Sequence, residues 1–269
     1  MQRELANSGV ASVCIAAGLL LSACAKSASA AHGIARTDPN SRAAHAQLLE
    51  KARTGRIDLY FLGDSIVRRW GTADEIYRDL YANWRHNFHG WNAADFGWGS
   101  DTTWNVLWRI ENGELDGVNP KVIVVLAGTN DLDAFPRGRD SDDARIKSVT
   151  DGVAAIVSVC HEKAPRATVI VNSLPPRNDR RELLPVIARI NARLAKRTDG
   201  NSVRYLDLNK QLTDSDGVAL PGMLNADGIH LSIAGYQAWT DALRPMLEEL
   251  LGPQHQSDDA PPPSRNPGR

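Results

Sequence analysis

Residues 121–127 read KVIVVLA, a short unbroken apolar run that ends at Gly128. Such a run belongs to a strand covered on both faces, because a strand with one wet face alternates apolar and polar side chains. Similar runs occur at 57–62 (IDLYFL, ending at Gly63), 167–172 (ATVIVN) and 203–206 (VRYL), with a weaker one at 93–96 (AADF). Between them lie segments with helical periodicity, at 75–84, 102–110, 141–162, 181–197 and 232–251, and a further helix is expected near 41–54 in the polar, Ala-rich stretch 31–55. Strand and helix therefore alternate. That order calls for an α/β fold whose sheet, of about five mainly parallel strands, is covered by helices on both faces. Ligands of such sheets bind beyond the carboxyl ends of the strands, which directs attention to the residues that follow each run.

The chain has 269 residues, 42% of them apolar and 23% charged, enough to bury one full core. Residues 56–251 are expected to form that body and 252–269, GPQHQSDDAPPPSRNPGR, a disordered tail without apolar periodicity. Lys and Arg total 31 against 32 Asp and Glu, so no field gathers nucleic acid or anionic lipid, and no nucleic-acid partner is expected. Residues 1–30 carry Arg3, an apolar run at 10–21 and then small residues, the pattern of an export signal. Two processing sites compete within it. Leu21-Ser22-Ala23-Cys24 resembles a lipoprotein signal in which Cys24 becomes the lipidated first residue, and Ala28-Ser29-Ala30 suits ordinary cleavage. The expected location is accordingly periplasmic or outer-membrane lipoprotein, with plain secretion as the alternative, and membrane contact only through that lipid. Cys14 and Cys24 fall in the signal, which leaves Cys160 alone in the body beside Ile156, Val157 and Val159, as a buried thiol.

Three segments at expected strand ends carry polar groups suited to chemistry. Gly63-Asp64-Ser65 follows the first run and leads into the helix-compatible Ile66-Val67-Arg68-Arg69-Trp70, so Ser65 stands at a strand-to-helix turn with its hydroxyl free to face a cleft. Read alone, such a pair is more often an N-cap. Gly128-Thr129-Asn130-Asp131 ends the KVIVVLA run and offers the Asn130 amide as an oxyanion donor or a loop cap. Asp227-Gly228-Ile229-His230 stands before a helix starting near Ser232, a spacing that lets a turn bring carboxylate to imidazole. The same spacing suits a metal pair, but no further His or Cys cluster supplies the remaining ligands. The bland readings do not anticipate all three segments at strand ends in this order.

Jointly, FLGDSIVRRWG (61–71), DFGWGSDTTWNVLWRIENGEL (95–115), KVIVVLAGTNDL (121–132) and DGIHLSIAGY (227–236) resemble the GDSL/SGNH hydrolase superfamily, over about 57–250. Within it, the likeness is to bacterial GDSL-type esterases related to the catalytic subunits of platelet-activating-factor acetylhydrolase. The resemblance implies a three-layer α/β/α flavodoxin-like fold and cofactor-free, metal-independent ester hydrolysis through an acyl-enzyme. It makes Ser65 the nucleophile, His230 the base and Asp227 its orienting acid, with an oxyanion hole of the Ser65 and Ser100 backbone N–H groups and the Asn130 amide. Ser100 is a departure, since the family has glycine at that position. Trp98 and Trp104 flank the oxyanion segment and read either as core or as a substrate-stacking wall, which suits a small-molecule or carbohydrate ester. Arg177, after Leu174-Pro175-Pro176, reads as a cleft residue or a solvated loop charge. No Gly-x-Ser-x-Gly elbow surrounds Ser65, which argues against an α/β-hydrolase. Two rivals to hydrolysis are O-acyl transfer to a sugar hydroxyl and a non-catalytic, lipid-anchored binding module on the same fold.

Overall fold

The computed structural model describes residues 32–134 and 142–268; the expected export signal with Cys14 and Cys24, and Ser141, lie outside them. Five parallel strands, β1 (Leu59–Gly63), β2 (Ala93–Gly97), β3 (Val122–Leu126), β4 (Thr168–Asn172) and β5 (Val203–Leu206), form one sheet in the order β2-β1-β3-β4-β5. This is the flavodoxin-like order, in which the chain steps from β1 to one side and then returns to its other side. The crevice at that reversal opens between the carboxyl ends of β1 and β3.

Alternate strand residues feed two cores. Tyr60, Leu62, Ile123, Val125, Val169 and Val171 pack against helices α1 (Pro39–Ala52), α4 (Thr103–Arg109), α5 (Asp142–Lys163) and α6 (Leu184–Ala195). Leu59, Phe61, Val122, Val124 and Ile170 face α2 (Ser65–Gly71), α3 (Arg78–Phe88) and α8 (Ile233–Leu251), with the short α7 (Asn209–Leu212) beside them. The fold is thus the expected three-layer sandwich. Helix α1 inserts Ala44 and Leu48 into the buried interior, so the leader stretch is built into the body. Cys160 is fully buried on α5, and burial pushes its thiol up to about 12, consistent with a packing role.

The second core is aromatic. Phe61 lies 4.7 Å from Trp84, and Trp70 lies 4.9 Å from Phe88 and 5.0 Å from Trp239, ring to ring. Edge-on and tilted pairs of this kind add about 0.5–1.5 kcal/mol each beyond the area they bury. Because Trp70 sits on α2 itself, this cluster fixes the helix that carries Ser65.

The tail departs from expectation. After α8, residues 252–268 run as an ordered strap beside the β2 edge. Trp91 Nε1 donates to Gly252 O at 2.9 Å, His255 N to Gly90 O at 3.0 Å, Asp259 N to Asn92 Oδ1 at 2.8 Å and Asn266 N to Asp74 Oδ1 at 2.7 Å. Ser264 O receives Ala73 N and Thr72 Oγ1. The segment is held by hydrogen bonds and its rigid prolines rather than by an apolar face, and periodicity does not register such attachment.

Candidate active site

Ser65 is the first residue of α2, directly beyond β1. Asp64 caps the helix, its Oδ1 accepting Ile66 N–H at 2.9 Å, and burial pushes its carboxyl up to about 7. The N-cap reading of this pair is therefore correct for Asp64 and leaves the serine hydroxyl unused by the cap. The helix start can lie this close to the sheet because β2 ends in Gly97, where a Cβ would stand 2.3 Å from Arg68 N and 2.7 Å from Asp64 O.

Ser65 Oγ lies 2.8 Å from His230 Nε2, and His230 Nδ1 lies 2.8 Å from Asp227 Oδ2. The Asp227 carboxylate accepts the Nδ1 proton, which fixes the tautomer whose Nε2 accepts from the serine hydroxyl. The turn that makes this geometry is tight: Asp227 Oδ1 accepts from Ile229 N at 3.0 Å and His230 N at 2.9 Å. Gly228, at φ +70°, lies against Asp179, where a Cβ would approach its backbone N to 2.7 Å. Ser232 then caps α8 by accepting from Gly235 N at 3.1 Å.

The electrostatics suit a base. Partial burial pushes the Asp227 carboxyl upward, but two backbone donors and the imidazole outweigh it and hold it well below the usual carboxylate range. For His230, burial and then the Arg69 cation lower its pKa, against the opposing pull of Asp227. The imidazole is therefore neutral at neutral pH. Arg69, one helical turn beyond Ser65, places Nη1 3.1 Å from Asp227 Oδ2 and its guanidinium over the Tyr77 ring. Its i, i+4 relation to Ser65 was the only sequence signal for it.

Three donors stand at the ends of three adjacent strands. Ser65 N–H follows β1, and none of the described residues accepts it. Ser100 follows β2, exposed and at φ +63°, the left-handed region glycine prefers, and its N–H likewise has no acceptor among the described residues. Asn130 follows β3. Its Nδ2 donates one proton to Asp101 O at 2.9 Å, which leaves the second available. Asp131, beside it, accepts from Thr103 N at 2.8 Å and Thr103 Oγ1 at 2.6 Å, pinning the β3 loop to the start of α4.

Trp98 and Trp104 each bond a serine on a neighbouring helix, and Trp104 is half-buried. Trp98 is buried, with Nε1 donating to Ser41 Oγ on α1 at 2.9 Å and the Arg68 guanidinium 4.8 Å over its ring. Trp104 donates to Ser148 Oγ on α5 at 3.2 Å. The Trp98 indole thus joins the loop after β2 to α1, and the Trp104 indole joins α4 to α5. Arg177 is no solvated charge either: it is buried and donates to both Asp179 oxygens at 2.7 Å, to Asp133 Oδ2 at 3.0 Å and to Thr129 O at 3.3 Å. Since Asn178 N also donates to Gly228 O at 2.9 Å, the β4 loop braces both the Asn130 segment and the Asp227 turn.

A Ser–His–Asp hydrogen-bonded chain thus stands at the strand ends of a parallel α/β/α sandwich. Residues 61–238 match the GDSL-like Lipase/Acylhydrolase family, and the chain belongs to it. It is 32% identical over 225 residues to platelet-activating factor acetylhydrolase IB subunit alpha1 of Bos taurus, covering 83% of this chain and 89% of that one. The Homo sapiens alpha1 subunit is 33% identical over 222 residues, covering 81% and 86%. Among solved structures, a GDSL-like lipase from Bacteroides thetaiotaomicron superposes with TM-score 0.58 at 19% identity, covering 77% of this chain and 97% of that one. A carbohydrate esterase family 3 protein from Talaromyces cellulolyticus gives TM-score 0.51 at 17% identity, covering 72% and 98%. The protein is a hydrolase acting on esters.

Proposed function

We propose that this protein is an exported esterase that removes acetyl or other short acyl groups through a Ser65 acyl-enzyme. The Ser65–His230–Asp227 chain of 2.8 Å contacts carries the reading. Serine is a weak nucleophile at neutral pH, so neutral His230 takes the Oγ proton as Oγ attacks the ester carbonyl, and Asp227 stabilises the imidazolium that results. The oxyanion is held by the N–H groups of Ser65 and Ser100 and the second Asn130 amide proton. Collapse expels the alcohol, which takes the proton from His230. Water, deprotonated by His230, then attacks the acyl-enzyme, and collapse of that second intermediate releases acid and free Ser65.

The preference for short acyl groups is supported by the serine at position 100, where the resembled family has the smaller glycine, and by similarity to proteins named acetylhydrolases. Ser65→Ala is expected to fold as wild type and lose about a thousandfold or more in turnover of short para-nitrophenyl esters. A purified Ser65→Ala protein with near wild-type turnover refutes the assignment, and a screen over chain length together with acetylated xylan defines the acyl and alcohol groups. The signal carries the localisation: Leu21-Ser22-Ala23-Cys24 directs lipidation of Cys24 and anchoring to the outer membrane. Mass spectrometry of the membrane fraction tests this, and an unlipidated mature N-terminus at Ala31 refutes it.

A further inference from the structure

Ser100 and Asn130 act as donors only if the loop between β2 and α4 is held still, and Ser100 sits there in a backbone conformation that a serine resists. Something must over-determine that loop. The strongest restraint comes from a side chain that neither the triad nor the oxyanion hole uses. Arg109, the last residue of α4, is 4% exposed and enclosed by acceptors. Its Nη2 donates to Gly63 O at 3.0 Å, its Nη1 to Phe96 O at 3.0 Å and to Glu114, and its Nε to Asp101 Oδ2 at 2.7 Å. One planar cation therefore joins the last residue of β1, two positions before Ser65, to the end of β2 and to the residue after Ser100. Asp101 O in turn accepts the Asn130 amide.

We propose that Arg109 is the positioning residue of the oxyanion hole: it sets the separation of the β1 and β2 ends and fixes the Ser100–Asp101 peptide against Asn130, without touching substrate. The proposal rests on the esterase reading above. The chemistry favours guanidinium specifically. Four acceptors shared among Nε, Nη1 and Nη2 suit a rigid fork, whereas a lysine ammonium is a compact charge that reaches fewer of them. The flanking charges support the same role. Glu114 Oε1 lies 2.7 Å from His45 Nδ1, Tyr60 Oη donates to Glu114 O at 3.0 Å, and Arg36 Nη1 donates to Gly99 O at 3.2 Å. Glu114, the partner of Arg109, is thus held from α1 and β1, and the loop itself is held from the N-terminal segment. Burial pushes the Asp101 carboxyl up to about 6 against the opposing pull of Arg109, so the ion pair is what keeps that buried acid charged at neutral pH.

A merely structural arginine would change the amount of folded enzyme. A positioning arginine changes how well folded enzyme binds the oxyanion. The test uses Arg109→Lys and, as a second variant that retains the loop backbone, Asp101→Asn, each assayed per folded active site after titration with a serine-directed phosphonate. The expected result is kcat lower by about ten- to a hundredfold, short of the full loss of a donor. KM for a short ester should stay within about twofold, and the inhibition constant of a trifluoromethyl ketone, which forms the oxyanion adduct, should rise by the same factor as kcat falls. Arg109→Lys should recover more than Arg109→Met if charge contributes apart from the fork. If Arg109→Lys does not fold, Asp101→Asn decides. A folded variant with wild-type kcat and unchanged ketone inhibition overturns the assignment of Arg109 alone. A wild-type protein that neither turns over esters nor reacts with phosphonate overturns the esterase reading and this proposal with it.

Discussion

Arg69 gives the sharpest test of the site's electrostatics. Its guanidinium and the His230 imidazole share one oxygen, Asp227 Oδ2, at 3.1 and 2.8 Å. The two cationic nitrogens can then be no more than about 6 Å apart, where Coulomb's law gives about 0.7 kcal/mol of repulsion in bulk water and about 2.8 kcal/mol at an effective dielectric of 20. Asp227 is over a third exposed, so solvent screens the pair and about 1 kcal/mol is the reasonable figure. Replacing Arg69 by Gln removes that repulsion and leaves Asp227 entirely to the imidazole, and both effects favour protonated His230. At 1.36 kcal/mol per pH unit, the His230 pKa should rise by roughly 0.5–1 unit. The base acts only when neutral, so the acid limb of kcat/KM for a short ester, followed by proton release at constant pH, should move upward by the same amount while the plateau above pH 8 changes little. In wild type the limb should lie below ~6.5, the ordinary histidine value. A limb that stays within about 0.2 unit, or moves to lower pH, would refute Arg69 as the cation that tunes this base.

Asn130→Ala removes a side-chain donor and should cost roughly a hundred- to a thousandfold in kcat with little change in KM, whereas Ser100→Gly keeps its backbone donor and should stay within roughly tenfold. Since Ser100 sits at φ +63°, Ser100→Gly should also relieve backbone strain and raise stability by up to about 1 kcal/mol in denaturant unfolding. It should accept longer acyl chains, which a chain-length series with para-nitrophenyl esters checks. Truncation after Leu251 removes the strap from Gly90, Asn92 and Asp74 and should lower Tm by about 4–8 °C if the net loss is about 2 kcal/mol; an unchanged Tm would show that the strap does not hold.

What could be read from the sequence was whatever obeys a local rule. The strands announced themselves as apolar runs because both faces are covered, and the structure bounds β3 and β4 within one residue of those runs. Ser65, Asn130 and the Asp227–His230 turn were legible because a parallel sheet delivers its strand ends to one side, so three polar motifs spaced far apart in sequence had one place to meet. The surroundings of Arg177 and Trp98 were left open for the opposite reason: besides the nearby Asp179, the partners that bury Arg177 include Asp133 and Thr129, 44 and 48 residues away, and Trp98 bonds Ser41, 57 residues away.

Ser100 joins the two levels. Taken from the sequence, it is a departure from a glycine, and the departure matters because the backbone there has φ +63°, a conformation that costs an L-residue about 1–2 kcal/mol. A serine persists at such a position only where surrounding contacts exceed that cost. Those contacts are available: Trp98 N donates to Gly63 O at 3.1 Å on one side of the loop, and Asp101 is gripped by Arg109 at 2.7 Å on the other. The substitution is therefore tolerable in this chain because the loop is clamped at both ends. On the proposed function the same clamps would hold its N–H for the developing oxyanion, so the stability of the loop and the chemistry of the site would depend on one set of hydrogen bonds.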